Sequence, residues 1–379
     1  MLGLRPTVAE PAGPEDSALT ALGAINAVDV ILKRVLDVRL RQAHEADPVF
    51  ADGMADRVAA FVLRGGKRLR TAFAWCGWRA AGGSGDTEGI LHMGAALELL
   101  QACALIHDDV MDGSLLRRGA PAMHVEMARR HSAARMAGSA ESFGTSAAVL
   151  AGDLALAWAD DLLTETALGS PQGSRLYGEW RAMRTEMVAG QYRDLHAQAS
   201  GSSGVDEALT TAILKSALYT VARPMALGAS LTGADEATLG ALRAAGRCAG
   251  LAFQLRDDLC GAFGDPALTG KPAGDDLRSR KLTYLLAVGL RLADATGAQD
   301  AAVLAPGGDA RSEHAVERMR TALERTGARA EVETKIAELA TSSLRHFEAV
   351  GAEPAVRREF AALVERAAGT APQDSGELV

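Results

Sequence analysis

Apolar positions along this chain come in long Ala- and Leu-dominated stretches, such as residues 59–80, 94–109 and 146–163. They lack the period-two alternation and the Val/Ile/Thr enrichment of strands, so they read as long helices. Breakers fall at residues 65–66, 81–85, 113–121, 169–173, 201–204, 264–274 and 306–308. Between them lie roughly ten helical segments, several apolar on more than one face, as the central helices of a large bundle are. No internal repeat or Pro/Ser-rich linker divides the chain. The pattern therefore predicts one all-α domain over residues 17–368, with residues 1–16 and 369–379 as disordered ends.

Composition narrows the function. The 379 residues carry a net charge of −8, which argues against a polyanionic partner such as nucleic acid. Four widely spaced cysteines (Cys76, Cys103, Cys248, Cys260) form no metal or disulfide spacing and fit a reducing, cytoplasmic setting. No run approaches 18 uninterrupted apolar residues, so no integral membrane segment is expected. Only six of the 40 basic residues are Lys, at positions 33, 67, 215, 271, 281 and 335. In an Arg-rich chain each lysine raises the question of why Arg did not serve.

Candidate chemistry clusters in three places. In LIHDDVMDGSLLRRG, Asp108 and Asp112 stand four apart, on one face of a helix end, with Asp109 beside them and Arg117-Arg118 following. Paired carboxylates of this kind suit Mg²⁺. A solvated acidic helix end has the same spacing, but the apolar approach and the trailing arginines are hard to explain by packing alone. A second acidic pair, Asp257-Asp258, ends another apolar run and precedes Asp265, Lys271, Asp275, Asp276, Arg278, Arg280 and Lys281. The third place, Gly65-Gly66-Lys67-Arg68-Leu69-Arg70, presents backbone N–H groups and cations at a helix start, an arrangement that favours phosphate. Lys215 interrupts an otherwise apolar helix. Thus four of the six lysines fall in polar islands, where a compact ammonium meets phosphate oxygens as a point charge. Lys33 and Lys335 read as ordinary exposed positions. Acids for Mg²⁺, cations for phosphate and an apolar helical interior together match a substrate that is diphosphate at one end and hydrocarbon at the other.

These residues sit in the ordered motifs GGKRLR, ELLQACALIHDDVMDGSLLRRG, FGTSAAVLAGDLAL, MVAGQYRDL, KSALY and FQLRDDLCGAFGDPALTGKPAGDDLRSRK. Over roughly residues 25–350 the chain resembles the trans-isoprenyl diphosphate synthases (polyprenyl synthetases), and is most similar to the bacterial geranylgeranyl diphosphate synthases. The resemblance implies a helical bundle of the isoprenoid synthase type with a central apolar cavity, working as a cytoplasmic homodimer. It implies three Mg²⁺ per site, with Mn²⁺ as a substitute, held by Asp108, Asp109, Asp112, Asp257 and Asp258. It assigns isopentenyl diphosphate to Lys67, Arg70, Gln101 and Arg118, and the allylic diphosphate to Arg117, Lys215, Gln254, Lys271 and Lys281, with Ser216 near the cation. The second acidic motif departs from the family's D-D-x-x-D, since Gly261 stands where the third Asp would be.

Chain length is argued from the helix that ends at Asp108, because one helical turn, about 5.4 Å, approximates one isoprene unit. Cys103 and Ala104 are small and Leu100 and Leu97 lie a turn or more deeper, which predicts a C20 product, with C25 or longer as the alternative. A class I terpene cyclase would carry an Asn/Asp, Ser/Thr, Glu metal motif, yet Asn26 is the only Asn and the matching steps after Asp257 are absent. A non-catalytic partner subunit would have lost the first acidic motif or the cations.

Overall fold

The computed structural model describes residues 20–264, 274–296, 298–305 and 312–369. In chain order its helices are α1 (Ala21–Ala46), α2 (Asp56–Leu63), α3 (Leu69–Ala80), α4 (Glu88–Met111), α5 (Met123–Ala133), α6 (Ala140–Leu168), α7 (Gly173–Ser200) and α8 (Val205–Ala212). A ten-residue π-helix (Ile213–Ala222) follows, then α9 (Arg223–Leu231), α10 (Glu236–Phe263), α11 (Asp275–Arg278), α12 (Tyr284–Thr296), α13 (Ala298–Leu304), α14 (Glu313–Arg325), α15 (Ala328–Glu348) and α16 (Pro354–Ala368), while a helical turn (Pro48–Phe50) and a short π-turn (Ala51–Ala55) join α1 to α2. The only strands among the described residues are Leu116–Arg117 and Ala120–Pro121, paired antiparallel. The all-α expectation holds. The residues predicted as a disordered N-terminus, 1–16, lie outside the described residues, as do 370–379 of the predicted tail.

Ser139, Asp235 and Ser312 cap α6, α10 and α14 by accepting the N–H three residues on. The expected breaks are present among the described residues, and the structure adds others after Ala133, Leu231 and Glu348. Each of these passes a glycine at positive φ: Gly138, Gly233 or Gly351. Single glycines gave no warning in sequence because many others lie inside helices.

The apolar character of α4 on all sides follows from its place. It packs against α6, α3 and α1, and Met93, Leu97, Leu99, Leu100 and Ile106 are fully buried. A second core joins α10 to α12, α14 and α15 through Leu255, Leu285, Val316 and Ile336. Helices α4 and α6 are long and apolar enough by composition to cross a membrane, which the run-length criterion did not register. Two thirds of the apolar window of α4 is buried within the protein.

The π-helix is held by absent side chains. A Cβ on Gly190 of α7 would lie 2.2 Å from the Lys215 nitrogen, and one on Gly250 of α10 would lie 2.4 Å from the Ala217 carbonyl. Gly246 closes on Ala222 in the same way. The segment carrying Lys215, Ser216 and Tyr219 is thereby clamped between α7 and α10. Its wider turn re-aims those side chains, as π-segments at functional sites do.

Among the described residues, four non-glycine residues have positive φ, namely Arg68, Arg118, Arg135 and Arg280. Three of them are tied to distant chain. Arg68 is buried against Glu98 and Asp29, and the Arg118 guanidinium covers Gly66. Arg280 donates to the carbonyls of Val303, Leu304 and Ala305 at the end of α13.

Candidate active site

Helix α4 ends where the sequence places its acids. Asp112 is the C-cap residue, and its N–H bonds the Asp108 carbonyl at 2.8 Å, so the two carboxylates emerge one turn apart. Lys215 Nζ donates to Asp108 Oδ1 at 3.0 Å, and Lys281 Nζ donates to Asp112 Oδ2 at 3.2 Å. Residues 107 and 169 positions apart in sequence thus meet at one helix end. Asp109 is fully buried behind them, where Arg117 donates to its Oδ1 from Nε at 2.8 Å and from Nη2 at 2.5 Å, and reaches Asp108 at 3.2 Å. Asp109 therefore orients Arg117 rather than standing beside Asp108 and Asp112.

Burial disfavours ionisation of Asp108, but Lys215, Lys281 and Arg117 outweigh it and hold the carboxyl below its usual range. Burial likewise opposes the charge on Lys281, and Asp194, Asp112, Asp108 and Asp276 more than restore it.

The facing wall is the end of α10. Asp257 is exposed there, while Asp258 is buried and accepts from Gln254 Nε2 at 2.7 Å, one turn back. Gly261, where the family pattern has a third Asp, is the space into which Asp276 projects. A Cβ on Gly261 would lie 2.7 Å from Asp276 Oδ2. The Asp276 carboxylate of α11 thus occupies the space beside Gly261. Burial and then the Asp276 carboxylate push Asp258 up to about 8, against the Gln254 hydrogen bond. A raised acid stabilises the fold while protonated, so this contribution is complete below pH 3.8 and is lost as pH rises through about 8. In chelator the melting temperature of wild type is expected to fall over that range more steeply than that of Asp258→Asn. A divalent cation should reverse this, releasing a proton near neutral pH that calorimetry in buffers of different ionisation enthalpy will register. Equal proton release by Asp258→Asn would contradict the assignment.

The GGKRLR loop forms a third wall. Lys67 is exposed, and its field opposes the rise that burial and Asp257 impose on the Cys260 thiol, which places it near α10. Arg70 donates to Thr220 at 3.1 Å and lies 4.2 Å over the Tyr219 ring, whose hydroxyl donates to Gln101 Oε1 at 2.8 Å. Burial pulls Arg118 below its usual range, Glu98 opposes this, and Arg68, Arg117 and Arg70 reinforce it. A guanidinium among guanidiniums is a site short of an anion.

Of the predicted site residues, Asp108, Asp112, Lys215 and Lys281 share one network, and Arg117 joins it through Asp108. Gln254 and Asp258 pair on the facing helix, and Arg70 and Gln101 meet through Tyr219. Ser216 is half-buried on the π-helix. Ala104, on the Asp108 face of α4, is half-buried, whereas Cys103 lies toward α6 with Sγ 3.8 Å from His107. Burial pushes that thiol up to about 12. Lys271 and Asp265 lie outside the described residues. Asp194 was missed by sequence reasoning. Its only signal is the QYRDL of a quoted motif, where a lone acid among polar neighbours reads as a solvated helix position.

The donor chemistry fits a hard divalent cation, since every candidate ligand is a carboxylate oxygen. Among the described residues no three carboxylates, His or Cys converge as a ready-made ligand set. The lysines hold Asp108 and Asp112 instead.

A family model described as polyprenyl synthetase matches residues 53–323. The crystal structure of geranylgeranyl pyrophosphate synthase from Corynebacterium glutamicum, complexed with isoprenyl diphosphate and magnesium, superposes with a TM-score of 0.87. It is 39% identical, covering 91% of this chain and 98% of that one. Geranylgeranyl diphosphate synthase of Mycobacterium tuberculosis is 35% identical over 218 residues, 58% of this chain and 57% of its own length. The (2E,6E)-farnesyl diphosphate synthase of the same species is 35% identical over 249 residues, 62% of this chain and 63% of its own. These alignments span less than two thirds of either curated relative. The family match nonetheless takes in all three walls of the site and most of the bundle that carries them, and on that ground the chain belongs to the polyprenyl synthetase family.

Proposed function

We propose that the protein is a Mg²⁺-dependent trans-prenyltransferase that joins isopentenyl diphosphate head to tail to an allylic diphosphate, giving mainly geranylgeranyl diphosphate (C20). The observation that carries this reading is the pairing of Lys215 and Lys281 with Asp108 and Asp112 at the end of an apolar helix. Asp108 and Asp112 would hold the metal of a Mg²⁺-diphosphate substrate, and Lys215 and Lys281 its phosphates. The metal, three ions per site with Mn²⁺ as a substitute, would be held by Asp108, Asp112 and Asp257, and supplies Lewis acidity toward the leaving diphosphate. Lys215, Lys281 and Arg117 bind that diphosphate, and Gln254 orients Asp258. Gly66, Lys67, Arg70 and Arg118 receive isopentenyl diphosphate. Departure of the diphosphate would leave an allylic cation that the isopentenyl double bond attacks, and a proton then lost to the released diphosphate restores the double bond; the buried walls of α4 keep water from the cation. Incubation with labelled isopentenyl diphosphate, Mg²⁺ and C5, C10 or C15 allylic diphosphates tests the reading. Elongation is expected, and none with any primer would overturn it.

The C20 assignment rests on the α4 face that continues below Asp108 through Ala104, Gln101 and Leu97. The small Ala104 leaves room and the fully buried Leu97 and Leu100 form the floor. Ala104→Phe is expected to shift the product distribution from C20 toward C15, read by chromatography of the dephosphorylated alcohols. An unchanged distribution would remove this face from the tunnel.

The same reading makes the protein a cytoplasmic homodimer. Support comes from Phe143, Val149, Leu150 and Leu168 on α6 and Val188 and Tyr192 on α7, all exposed in the single chain. Burial of such apolar surface is the usual driving force for subunit association.

A further inference from the structure

We infer that Asp194 is a positioning residue that holds Lys215 and Lys281 together as a single diphosphate clamp, a role that rests on the prenyltransferase reading above. Its side chain is 3% exposed, and one oxygen, Oδ2, takes Lys215 Nζ at 2.7 Å and lies 3.3 Å from Lys281 Nζ. Each lysine spends its other contact on a different carboxylate of α4, Asp108 or Asp112. The result is an alternating row, Asp108, Lys215, Asp194, Lys281, Asp112, with the buried Asp194 at its centre.

Two ammonium groups sharing one oxygen repel each other strongly away from bulk water unless a negative charge lies between them. Asp194 supplies it from α7, one turn after Gly190, whose missing side chain lets the Lys215 backbone approach. The two outer carboxylates are the ones a metal would claim. Once they turn to a cation, Asp194 is the anion that still faces both lysines, so their convergence survives the arrival of substrate. Both lysines remain 21% exposed, enough for the ammonium groups to meet a ligand. Gln198 Nε2 also reaches Asp194 Oδ1, at 3.4 Å, one turn further along α7.

Asp194→Asn keeps the shape and removes the charge. With labelled isopentenyl diphosphate and a C15 allylic primer, it is expected to lower kcat/KM for the allylic substrate by about 100-fold, while KM for isopentenyl diphosphate changes less than about three-fold. Calorimetry with the unreactive thiolodiphosphate analogue of the primer and Mg²⁺ is expected to show binding weakened by roughly ten-fold. Asp194→Ser carries the same comparison if the asparagine variant does not fold. In a Lys281→Gln background, Asp194→Asn should cost much less than in wild type, because one of the two charges to be separated is gone. Analogue binding and allylic kinetics unchanged from wild type would overturn the inference. So would an equal loss for both substrates, which marks a merely structural defect. Wild-type protein that binds the analogue without elongating the primer would refute the prenyltransferase reading and leave the binding comparison intact.

Discussion

Asp108→Asn is expected to lower kcat by about a thousand-fold or more while the protein stays folded, because the loss falls on charge stabilisation of several kcal/mol at the leaving group. Asn at this position keeps the size of the side chain and an oxygen able to accept from Lys215. It forfeits the anionic oxygen that a hard cation requires, and it leaves Asp194 as the one carboxylate paired with Lys215. Arg117 also loses its 3.2 Å contact but retains both bonds to Asp109, so the hairpin that follows α4 should keep its place. Turnover of labelled isopentenyl diphosphate at saturating substrate, beside a melting curve, separates the two effects. A variant within ten-fold of wild type would remove Asp108 from the chemistry.

Glu98→Ala should be the most destabilising single change at the site, by about 3–5 kcal/mol, since it strands a buried charge. The Arg68 side chain is 5% exposed and donates to Glu98 Oε2 at 2.9 Å, to the Val62 carbonyl at 3.1 Å and to Asp29. Glu98 Oε1 meanwhile accepts from Thr71 at 3.0 Å. Burial opposes the charge on Arg68, and Glu98, then Asp29, more than restore it. Without Glu98 the guanidinium keeps only the partly exposed Asp29 as counter-ion, and the Thr71 hydroxyl loses its acceptor. The predicted loss is a large share of a typical domain's stability, so a depressed melting temperature and denaturation midpoint are the readout. Glu98→Gln, which keeps one oxygen to accept from Arg68 but puts an NH2 donor where the second oxygen stood, should lose less. Because Arg68 adjoins Gly66 and Lys67, KM for isopentenyl diphosphate is expected to rise before the fold fails.

The main features of the site could be read in the sequence because they are local. An apolar run that ends in Asp108 and Asp112 is visible as helical spacing, and scarce lysines stand out against an Arg-rich background. The parts that could not be read are relations between distant segments. Asp194 is one acid among 48 acidic residues until the fold brings Lys215 and Lys281 to it from two other elements. Gly261 looks like a missing ligand because the motif is read along one helix, whereas Asp276 enters from outside that helix. The π-geometry of residues 213–222 depends on glycines in α7 and α10, and nothing in the local sequence announces it. Glu98 lies within the apolar run that approaches Asp108, and only the fold makes it the counter-ion of Arg68 in the GGKRLR loop.

The positive-φ arginines tie the shape of the loops at the site to the assembled bundle. A left-handed backbone costs a non-glycine residue roughly 1–2 kcal/mol, which a short loop cannot recover from its own contacts. Arg68, Arg118 and Arg280 recover it through Glu98, through the face of Gly66 and through the carbonyl end of α13, all absent until the helices have docked. The three turns that carry Lys67, Arg118 and Lys281 therefore depend for their shape on the docked helices rather than on their own sequence. A substitution that loosens the packing beneath any of these turns is therefore expected to weaken diphosphate binding even where every side chain that would touch the ligand is intact.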